Sequence, residues 1–420
     1  MPFSTWSTRH ELEFLLQDSG VRVLMTLPRF GKEEFLPGLG ALLPESLVAS
    51  PGGWRSAHFP ELRDLILVGG DAHEMPRGWH RYEALPGDEL APLPPGEGLS
   101  AADDGIILYT SGSTSKPKAV RLVHHAIIEN GFNIGERQGL RLGDRLLTSI
   151  PLFWAFGAVN ALPAAMTHAT ALVLQSRFEP GEALDLIERH RCTAFYTLPA
   201  MTAAMLRHPD FDRARTRSLR TGLALGTPQD FARNATELGA AQICNIYGSS
   251  EIYGNCCVTP HDWPLERRAA CSGPPLPGVR LRIVDGADGR ALGPGQPGMI
   301  EVKGYVMPGY GGASAEHNAS VFTVDGWFRT GDVGQINAEG DLTFLGRSGE
   351  MIKRAGINVS PAEVEEALMQ HPAVSQAGVV GTPDVERGEV IVALVVTRNG
   401  ARVTAAELIA HCRSVASAYK

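Results

Sequence analysis

Residues 109–118, YTSGSTSKPK, are the segment of the chain best suited to hold phosphate. Small residues allow backbone N–H groups to approach phosphate oxygens closely. Lys116 and Lys118 add positive charge. The segment also supplies side-chain hydroxyl donors, on Thr110, Ser111, Ser113 and Thr114. It follows an apolar stretch typical of a strand and precedes a helical segment, so it predicts a phosphate-binding loop between the two.

The same segment does not match the Walker A loop of P-loop kinases. After Gly112 that pattern requires Gly-Lys at positions 117 and 118, where this chain has Pro117 and Lys118. A flexible surface linker rich in Ser, Thr and Gly is the other interpretation. The position between a strand and a helix favours the phosphate loop.

The segment resembles the signature loop of the adenylate-forming superfamily, which includes acyl-CoA synthetases, peptide-synthetase adenylation domains and firefly luciferase. Ser115 and Ala119 replace two glycines of the family pattern. Further segments resemble the family in the same order: IPLFWAFG (150–157), NIYGSSE (245–251), GWFRTGD (326–332), GRSGEMIKRAGINVSPAEVEE (346–366) and AVSQAGVVGTPDVERGEVIVALVV (373–396). The ordered set identifies the chain as a member of this superfamily, closest to the fatty-acyl-CoA synthases.

The resemblance implies a nucleotide site. Its residues would be Thr110, Ser111, Gly112, Ser113, Thr114, Lys118, Tyr247, Gly248, Ser249, Ser250, Asp332 and Arg347. Tyr247 would stack on adenine, Asp332 would accept hydrogen bonds from both ribose hydroxyls, and Arg347 would reinforce that contact. The alternatives are a core aromatic for Tyr247 and an ordinary turn residue for Asp332.

The catalytic residues implied in the same way are Thr114, Lys118 and Glu251. Glu251, with Thr114, would hold Mg²⁺, a hard cation that prefers oxygen ligands. A substrate carboxylate would attack the α-phosphorus of ATP, and pyrophosphate would leave. The thiol of coenzyme A would then displace AMP from the acyl-adenylate. No protein nucleophile is required, so the cysteines need no catalytic role.

The implied substrate pocket contains Trp154, Phe156, Gly157, Ala224 and Gly226. Amino-acid-activating relatives place an Asp at the position of Gly157, so an α-amino acid is disfavoured and a fatty or other apolar acid is expected. Trp154 stands where many relatives have His, and is either a gate to the acyl tunnel or a core aromatic.

The resemblance also assigns roles in the family's domain movement and coenzyme A binding to Gly349 and Gly356. Both chain ends depart from the family pattern. Gly349 occupies the hinge position, usually Asp or Lys, and still permits rotation. Gly356 is expected along the coenzyme A channel. The family's terminal lysine motif and its first residues have no counterpart here, so the sequence predicts a chain clipped at both ends. Such a chain is expected to adenylate poorly while retaining thioester formation from preformed acyl-adenylate.

Two other functions remain open. A carrier-protein thiol would replace free coenzyme A in an acyl-AMP ligase. A non-catalytic nucleotide-binding pseudoenzyme or fragment would fit the missing lysine, although it need not keep Thr114, Lys118, Glu251, Asp332 and Arg347.

The elements that must position these residues indicate an α/β fold. Strands alternate with helices from 105 to about 250, including a helix at 124–138. Short strands and turns at 273–346 predict a distorted, antiparallel, β-barrel-like part. A small, mobile α+β domain follows. The expected domains are therefore 1–347, the large adenylate-forming domain, and 348–420, the small C-terminal domain.

Local signals mark the ends of several elements. Ser7 or Thr8 is expected to cap a helix with Glu11 in its first turn, and Gly20 is expected to end that helix before a strand of a parallel sheet. Residues 86–98 predict a linker or surface loop. Ser360 is the expected N-cap of a later helix that begins with Pro361.

Composition limits the class of protein. The 420 residues are 44% hydrophobic and carry a net charge of −8, which favours a folded protein and argues against a nucleic-acid partner. The 6 cysteines form no metal-binding spacing, so a reducing cytoplasm is expected. Residues 146–176 lack Asp, Glu, Lys and Arg. Their prolines and polar residues predict a buried helix at 155–166 and a core strand at 169–174 rather than a membrane span. The expected partners are a small carboxylic acid, ATP and coenzyme A, and a homodimer is compatible with the family.

Overall fold

The computed structural model describes residues 1–71, 75–85, 98–110, 117–354, 357–384 and 388–415. The chain divides into two compact units. The first unit comprises Met1–His125, Leu152–Trp154 and Met307–Ser314. The second unit comprises Ala126–Pro151, Ala155–Val306 and Ala315–Lys420.

The helices and strands follow one another along the chain. The first are α1 (Arg9–Ser19), β1 (Val23–Thr26), β2 (Arg29–Phe30), β3 (Glu33–Glu34), α2 (Leu36–Leu42), α3 (Glu45–Val48), β4 (Asp64–Leu67), β5 (His80–Arg81), β6 (Asp104–Thr110), β7 (Lys118–Val123) and α4 (His124–Gln138). The next are β8 (Arg145–Thr148), α5 (Leu162–Thr167), β9 (Ala171–Leu174), α6 (Pro180–His190), β10 (Ala194–Thr197), α7 (Pro199–Leu206), β11 (Thr221–Ala224), α8 (Pro228–Arg233), β12 (Gln242–Tyr247), β13 (Cys257–Val258) and α9 (Leu265–Ala270). The last are β14 (Arg280–Val284), β15 (Gly298–Lys303), β16 (Tyr310–Gly311), α10 (Ala315–Ser320), β17 (Phe328–Ile336), β18 (Leu342–Arg347), β19 (Ile352–Arg354), β20 (Ile357–Val359), α11 (Pro361–Met369), β21 (Val374–Asp384), β22 (Gly388–Thr397) and α12 (Ala405–Val415).

The first unit opens with α1 and a small parallel sheet. Thr8 and Glu11 form a capping box at the start of α1, and Gly20 ends it with a φ of 56°. Strands β1, β4 and β5 pair in parallel in that order. The core beneath them includes Leu16, Leu65 and Trp79. The predicted cap, helix end and parallel sheet are confirmed.

The predicted phosphate segment joins two strands of a hairpin. Strands β6 and β7 are antiparallel, with Thr110 opposite Lys118, and β16 adds to the other edge of β7. The sequence interpretation placed a helical segment after the loop and named no strand between them. The structure adds β7 there, before α4 begins at His124. The bounds predicted for α4 itself, 124–138, are confirmed.

The second unit is built on a six-stranded sheet of order β13-β12-β11-β10-β8-β9. Its pairs are parallel except for β12 with β13. Every residue of β10 and β11 is buried, as expected for the centre of a sheet covered on both faces. Phe195, Phe231 and Ile243 belong to the core on this sheet.

Strands β14, β15, β17 and β18 form an open antiparallel sheet in that order. In the described residues these strands do not close into a barrel, so the part predicted to be β-barrel-like is an open antiparallel sheet. Strands β17 and β18 place Asp332 opposite Arg347. The α/β class, with a separate antiparallel part, is confirmed.

The last strands form a sheet of order β20-β19-β22-β21, against which Val364, Leu368, Leu408 and Cys412 pack. Ser360 occupies the N-cap position of α11 as predicted, but its side chain makes no capping hydrogen bond. Its hydroxyl instead donates to the carbonyl of Leu345. This contact ties the start of α11 to β18.

The charge-free stretch 146–176 lies in the second unit except for Leu152–Trp154, which belongs to the first. A buried π-helical turn at Gly157–Ala161 leads into α5, as expected of a buried helix. The following strand, β9, is half-buried to exposed, so the expectation of a core strand was wrong. In the part of the chain that the structure describes, no helix has the length and apolarity needed to cross a bilayer. All cysteines are free thiols, and those other than the half-buried Cys412 are buried.

The predicted linker at 86–98 lies outside the described residues except for Gly98.

Candidate functional site

Tyr247 and Asp332 come together from two different sheets of the second unit. Tyr247 is the last residue of β12, and Asp332 lies within β17. The Tyr247 hydroxyl donates a 2.7 Å hydrogen bond to Oδ2 of Asp332. Both residues are buried, with exposed fractions of 5% and 4%. Two residues predicted to hold the nucleotide are therefore direct neighbours.

Arg347 forms an ion pair with the same carboxylate. Its Nε lies 3.0 Å from Oδ1 of Asp332, at an angle outside hydrogen-bond geometry. Among the described residues no donor makes a hydrogen bond to this buried oxygen. Burial raises the pKa of Asp332, against the lowering effect of the Tyr247 hydrogen bond and of Arg347. Burial, followed by the Asp332 charge, raises the pKa of Tyr247.

A cavity of about 550 Å³ opens beside these residues. The Tyr247 ring stacks on Phe344 of β18, with centroids 5.5 Å apart and planes 28° apart. The cavity is lined by Leu225, Gly226, Thr227, Pro228, Asn245, Ile246, Tyr247, Gly248, Ala269, Ala270, Cys271, Ser272, Asp332, Thr343, Phe344, Leu345, Arg347, Ser360, Ala362, Glu363 and Glu366. It thus combines flat apolar surface with three acidic residues, Asp332, Glu363 and Glu366, and the guanidinium of Arg347, a mixture of apolar and polar groups typical of small-molecule sites.

The loop after Tyr247 is tightly wound. A Cβ on Gly248 would lie 2.0 Å from the carbonyl oxygen of Gly254, so only glycine fits there. Tyr253 and Gly254 both have left-handed backbone, with φ of 57° and 84°. The two turns bring the ends of the loop close together, and the Cys256 N–H donates to the Tyr247 carbonyl over 3.0 Å.

Asn130 of α4 holds this loop from the side. Its Nδ2 donates to the carbonyls of Tyr253 and Asn255, at 3.1 and 2.9 Å. Asn130 has an exposed fraction of 0%. Without Asn130, these two buried carbonyls would lose this hydrogen-bond donor, which costs free energy. The sequence interpretation missed Asn130, and also Phe344. Each is an ordinary helix or strand residue whose role arises only from distant parts of the chain.

Glu251 and its neighbours lie on this loop. Ser250–Ile252 forms a single 3₁₀ turn, and the side chains of Ser249, Ser250 and Glu251 are half-buried. No group of three or more His, Cys, Asp or Glu side chains within the described ranges is arranged to hold a metal. A magnesium site here would therefore use Glu251 together with oxygens of the nucleotide itself, the way Mg²⁺ is commonly held in phosphate sites.

The first unit carries the two described ends of the predicted phosphate loop. Thr110 ends β6 and Lys118 starts β7. The Lys118 ammonium lies 5.2 Å from the centroid of the Tyr310 ring. Next to Thr110, the Tyr109 hydroxyl donates a 2.6 Å hydrogen bond to Asp18, which anchors the hairpin to α1.

Several predicted site residues lie outside the described residues. They are Ser111, Gly112, Ser113, Thr114 and Gly356.

Phe156 packs within the second unit against a buried polar network. Its ring stacks on Tyr196 at 4.9 Å. The Tyr196 hydroxyl donates to Oδ1 of Asn160 over 2.7 Å and accepts from Nε2 of Gln138 over 2.9 Å. These three polar side chains are fully buried.

The other predicted pocket residues lie in different surroundings. A Cβ on Gly157 would be 2.5 Å from the Pro151 carbonyl oxygen, which explains the absence of a side chain there. Ala224 is buried in the core of the six-stranded sheet, whereas Gly226 lines the cavity beside Tyr247. Trp154 belongs to the first unit and is 42% exposed. Its role and that of Ala224 stay predictions.

Gly349 lies in the exposed turn between β18 and β19. Nothing lies within 4 Å of a Cβ placed on it. The position is therefore sterically open, and its function as a hinge stays a prediction.

Two family models and several known proteins match this chain. The model of the AMP-binding enzyme family matches residues 1–311, and the model of the AMP-binding enzyme C-terminal domain matches residues 363–420. The mitochondrial medium-chain acyl-CoA ligase ACSF2 of Mus musculus is 32% identical over 427 residues, covering 98% of this chain and 68% of the relative. The indoleacetate–CoA ligase of Aromatoleum aromaticum is 34% identical over 415 residues, covering 97% and 75%.

A solved structure shares the fold. The crystal structure of ATP-bound MatB from Rhodopseudomonas palustris superposes with a TM-score of 0.82 at 25% identity, covering 100% of this chain and 78% of that protein.

Proposed function

The chain belongs to the AMP-binding enzyme family, and on this premise we propose that it activates an apolar carboxylic acid with ATP and transfers the acyl group to coenzyme A. The observation that carries the proposal is the buried Asp332 carboxylate beside the cavity. One of its oxygens is held by Tyr247, and the other has no hydrogen-bond donor among the described residues. A ribose hydroxyl is a donor of the kind this oxygen requires.

The side chains around the cavity fit the remaining parts of the nucleotide. The Tyr247 ring, stacked on Phe344, offers an aromatic surface for adenine. Arg347 stays close enough to Asp332 to stabilise its ionised form, which accepts hydrogen bonds better than the neutral acid. The half-buried Glu251 offers a carboxylate to Mg²⁺. When bound, Mg²⁺ neutralises phosphate charge.

The residues of the chain then act by positioning. In the first half-reaction the acid carboxylate and the α-phosphate, both anionic, must be held in line. We assign Lys118 and Thr110 to the phosphates, together with Ser111, Gly112, Ser113 and Thr114. Attack forms the bond between the carboxylate oxygen and phosphorus and breaks the bond to pyrophosphate. In the second half-reaction the coenzyme A thiol displaces AMP from the acyl carbon.

The acid itself is proposed to be aliphatic. The name of the medium-chain relative supports this, whereas the indoleacetate-activating relative supports an aromatic acid. The clash that a side chain at Gly157 would make with Pro151 argues against the Asp by which amino-acid-activating relatives hold their substrate. Strong preference for a free amino acid in an exchange assay would overturn this assignment.

We also propose that the functional domains are 1–347 and 348–420, with rotation at Gly349 between the half-reactions. Gly349 is exposed and sterically open, so rotation there meets no side chain.

Separate assays of the two half-reactions test the function. The chain is mixed with synthetic octanoyl-adenylate and coenzyme A, and octanoyl-CoA is measured by chromatography. Acid-dependent release of AMP from ATP is measured for straight-chain acids, indoleacetate and amino acids. Thioester formation is expected in the first assay and acid-dependent AMP release in the second. Absence of both, despite ATP binding by calorimetry, would identify a non-catalytic nucleotide-binding protein. Product formed only with a phosphopantetheinylated carrier protein would identify an acyl-AMP ligase.

A further inference from the structure

The first unit contains a cavity of about 540 Å³ that is rich in arginine. It is lined by Arg22, Val23, Gly52, Arg55, Arg63 and Asp64. Half of these residues are arginines, and none takes part in the proposed reaction. The volume lies within the range of small-molecule sites.

Strand pairing forces two of the arginines together. Strands β1 and β4 are parallel, with Val23 opposite Asp64. One position earlier, the Arg22 carbonyl accepts hydrogen bonds from the N–H groups of Arg63 and Asp64, at 2.8 and 3.2 Å. The backbones of Arg22 and Arg63 are therefore neighbours across the start of the sheet, about one strand spacing apart, roughly 5 Å. Both residues line the cavity.

The third arginine comes from a separate loop. The Arg55 guanidinium donates to the carbonyls of Gly52 and Trp54, at 3.0 and 2.5 Å. These bonds fix its position at the cavity. Because a guanidinium has five N–H donors, Arg55 keeps further donors for another acceptor.

Among the described residues that line it, the cavity carries more positive than negative charge, with three arginines and one aspartate. In the described parts of the chain, no carboxylate oxygen lies within 4.0 Å of a guanidinium nitrogen of Arg22, Arg55 or Arg63. The carboxylate in the cavity, Asp64, places Oδ1 3.0 Å from Nε2 of His80 instead. This cationic group occurs in a chain whose net charge is −8.

We propose that this cavity binds a phosphate monoester, carried either by a small soluble molecule or by a lipid headgroup. The guanidinium fork matches the geometry of phosphate oxygens and can donate two parallel hydrogen bonds. An anion in the cavity also offsets the positive charge that Arg22, Arg55 and Arg63 bring to its lining. The site is independent of the acyl-CoA ligase reaction.

Binding experiments on the whole chain distinguish the two carriers. Inorganic phosphate is titrated by calorimetry in chloride buffer. Vesicles of phosphatidylcholine, with and without phosphatidic acid, are tested by sedimentation. Arg22→Gln is the principal variant, since the Arg22 guanidinium makes no hydrogen bond to the described residues and its loss should leave the fold intact. Arg9→Gln, on the exposed start of α1, is the matched control with the same change of charge.

The proposed phosphate loop, residues 111–116, is a second place where inorganic phosphate can bind. Only binding that Arg22→Gln weakens is therefore evidence for the arginine cavity. Arg22→Gln is expected to weaken binding in one arm about tenfold or more, and Arg9→Gln to leave it unchanged. Loss in the phosphate arm identifies a soluble ligand, and loss in the vesicle arm identifies a headgroup. If neither arm shows binding that depends on Arg22, the proposal is wrong, whatever the outcome of the acyl-CoA assays.

Discussion

The hydroxyl of Tyr247 and the carboxylate of Asp332 join the end of β12 to the middle of β17 through one buried 2.7 Å hydrogen bond. The bond links the parallel sheet to the antiparallel sheet at the edge of the cavity. Replacing Tyr247 by Phe keeps the ring that stacks on Phe344 and removes only the donor. We expect Tyr247→Phe to lower the free energy of unfolding by about 1.5–3 kcal/mol, because a buried charged acceptor loses its donor. Urea unfolding measures this, and unchanged stability would contradict it.

The pH dependence of stability should report Asp332. Burial raises its pKa above the ordinary 3.8. A carboxyl whose pKa is higher in the folded chain contributes stability at low pH, which is lost as pH rises through the folded-state value. Asp332→Asn removes this dependence. We expect the unfolding free energy of the variant, relative to the unmodified chain, to increase as pH rises above the ordinary carboxyl pKa and through the higher folded-state value, while ATP binding falls.

Asp325 provides a control of opposite sign for that experiment. Hydrogen bonds from Thr323 and Arg282 lower its pKa to about 2. Its contribution is present above the unfolded-state value and is lost as pH falls toward about 2. Asp325→Asn should therefore become relatively less stable as pH rises. The same slope for both variants would refute the assignment of Asp332.

Asn130 should position the loop that carries Glu251. Asn130→Asp keeps the shape of the side chain and removes both amide donors from the Tyr253 and Asn255 carbonyls. We expect a loss of about 2 kcal/mol or more in unfolding free energy, and a severalfold rise in the Mg²⁺ concentration that half-saturates activity. Asn133→Asp is the matched control, since Asn133 lies on the same helix and donates to Pro277 instead. Equal effects of the two variants on Mg²⁺ dependence would remove the positioning role.

Gly248 should tolerate no side chain. In Gly248→Ala the Cβ would meet the Gly254 carbonyl at 2.0 Å, so the loop must open and both stability and ATP affinity should fall. Gly349→Ala adds the same methyl group in open space and should leave stability within about 0.5 kcal/mol. Thermal unfolding and ATP titration compare the two. A tolerated alanine at 248 would show that the loop is wound differently.

Trp154 is either a gate to the acyl tunnel or a packing residue, and a substitution distinguishes the two roles. It packs edge-on against Trp6 and Phe153, with ring centroids 5.5 and 6.1 Å apart. If it borders the acyl tunnel, Trp154→Ala should change the KM for the acid and the preferred chain length, with the KM for ATP unchanged. Trp6→Ala removes the same edge contact and is the control. Identical acid KM values in both variants would leave Trp154 a packing residue.

Residues with local physical signals were predicted well. The helix cap expected at Ser7 or Thr8, which the structure places at Thr8, the helix end at Gly20 and the bounds of α4 each depend on a few neighbouring residues. The order of the motifs also placed Tyr247 and Asp332 in one site before any distance was known, because the family resemblance carried that information.

Contacts between residues far apart in the chain could not be predicted from the sequence in the same way. Asn130 and Tyr253 are 123 residues apart, and no local pattern couples a helix amide to a distant carbonyl. The strand β7 after the phosphate segment was missed although its hairpin partner β6 is adjacent in the chain; only its second partner, β16, is distant and begins at Tyr310. Ser360 has the residue type of an N-cap, yet the nearby Leu345 carbonyl takes its hydroxyl. For Asn130 and Ser360 a tertiary contact decided what the local sequence left open.

The burial of the cysteines bears on how this chain handles thiols. Burial raises the pKa of Cys192 to about 11 and that of Cys244 to about 12, and it raises those of Cys257, Cys271 and Cys412 as well. Thiolates are the reactive form, so these side chains stay unreactive near neutral pH. An acceptor thiol can therefore be followed with colorimetric thiol reagents while the chain stays folded, with background expected from the half-buried Cys412 rather than from the buried cysteines. Unfolding exposes the buried thiols, and the same reagents then report it as a rise in absorbance.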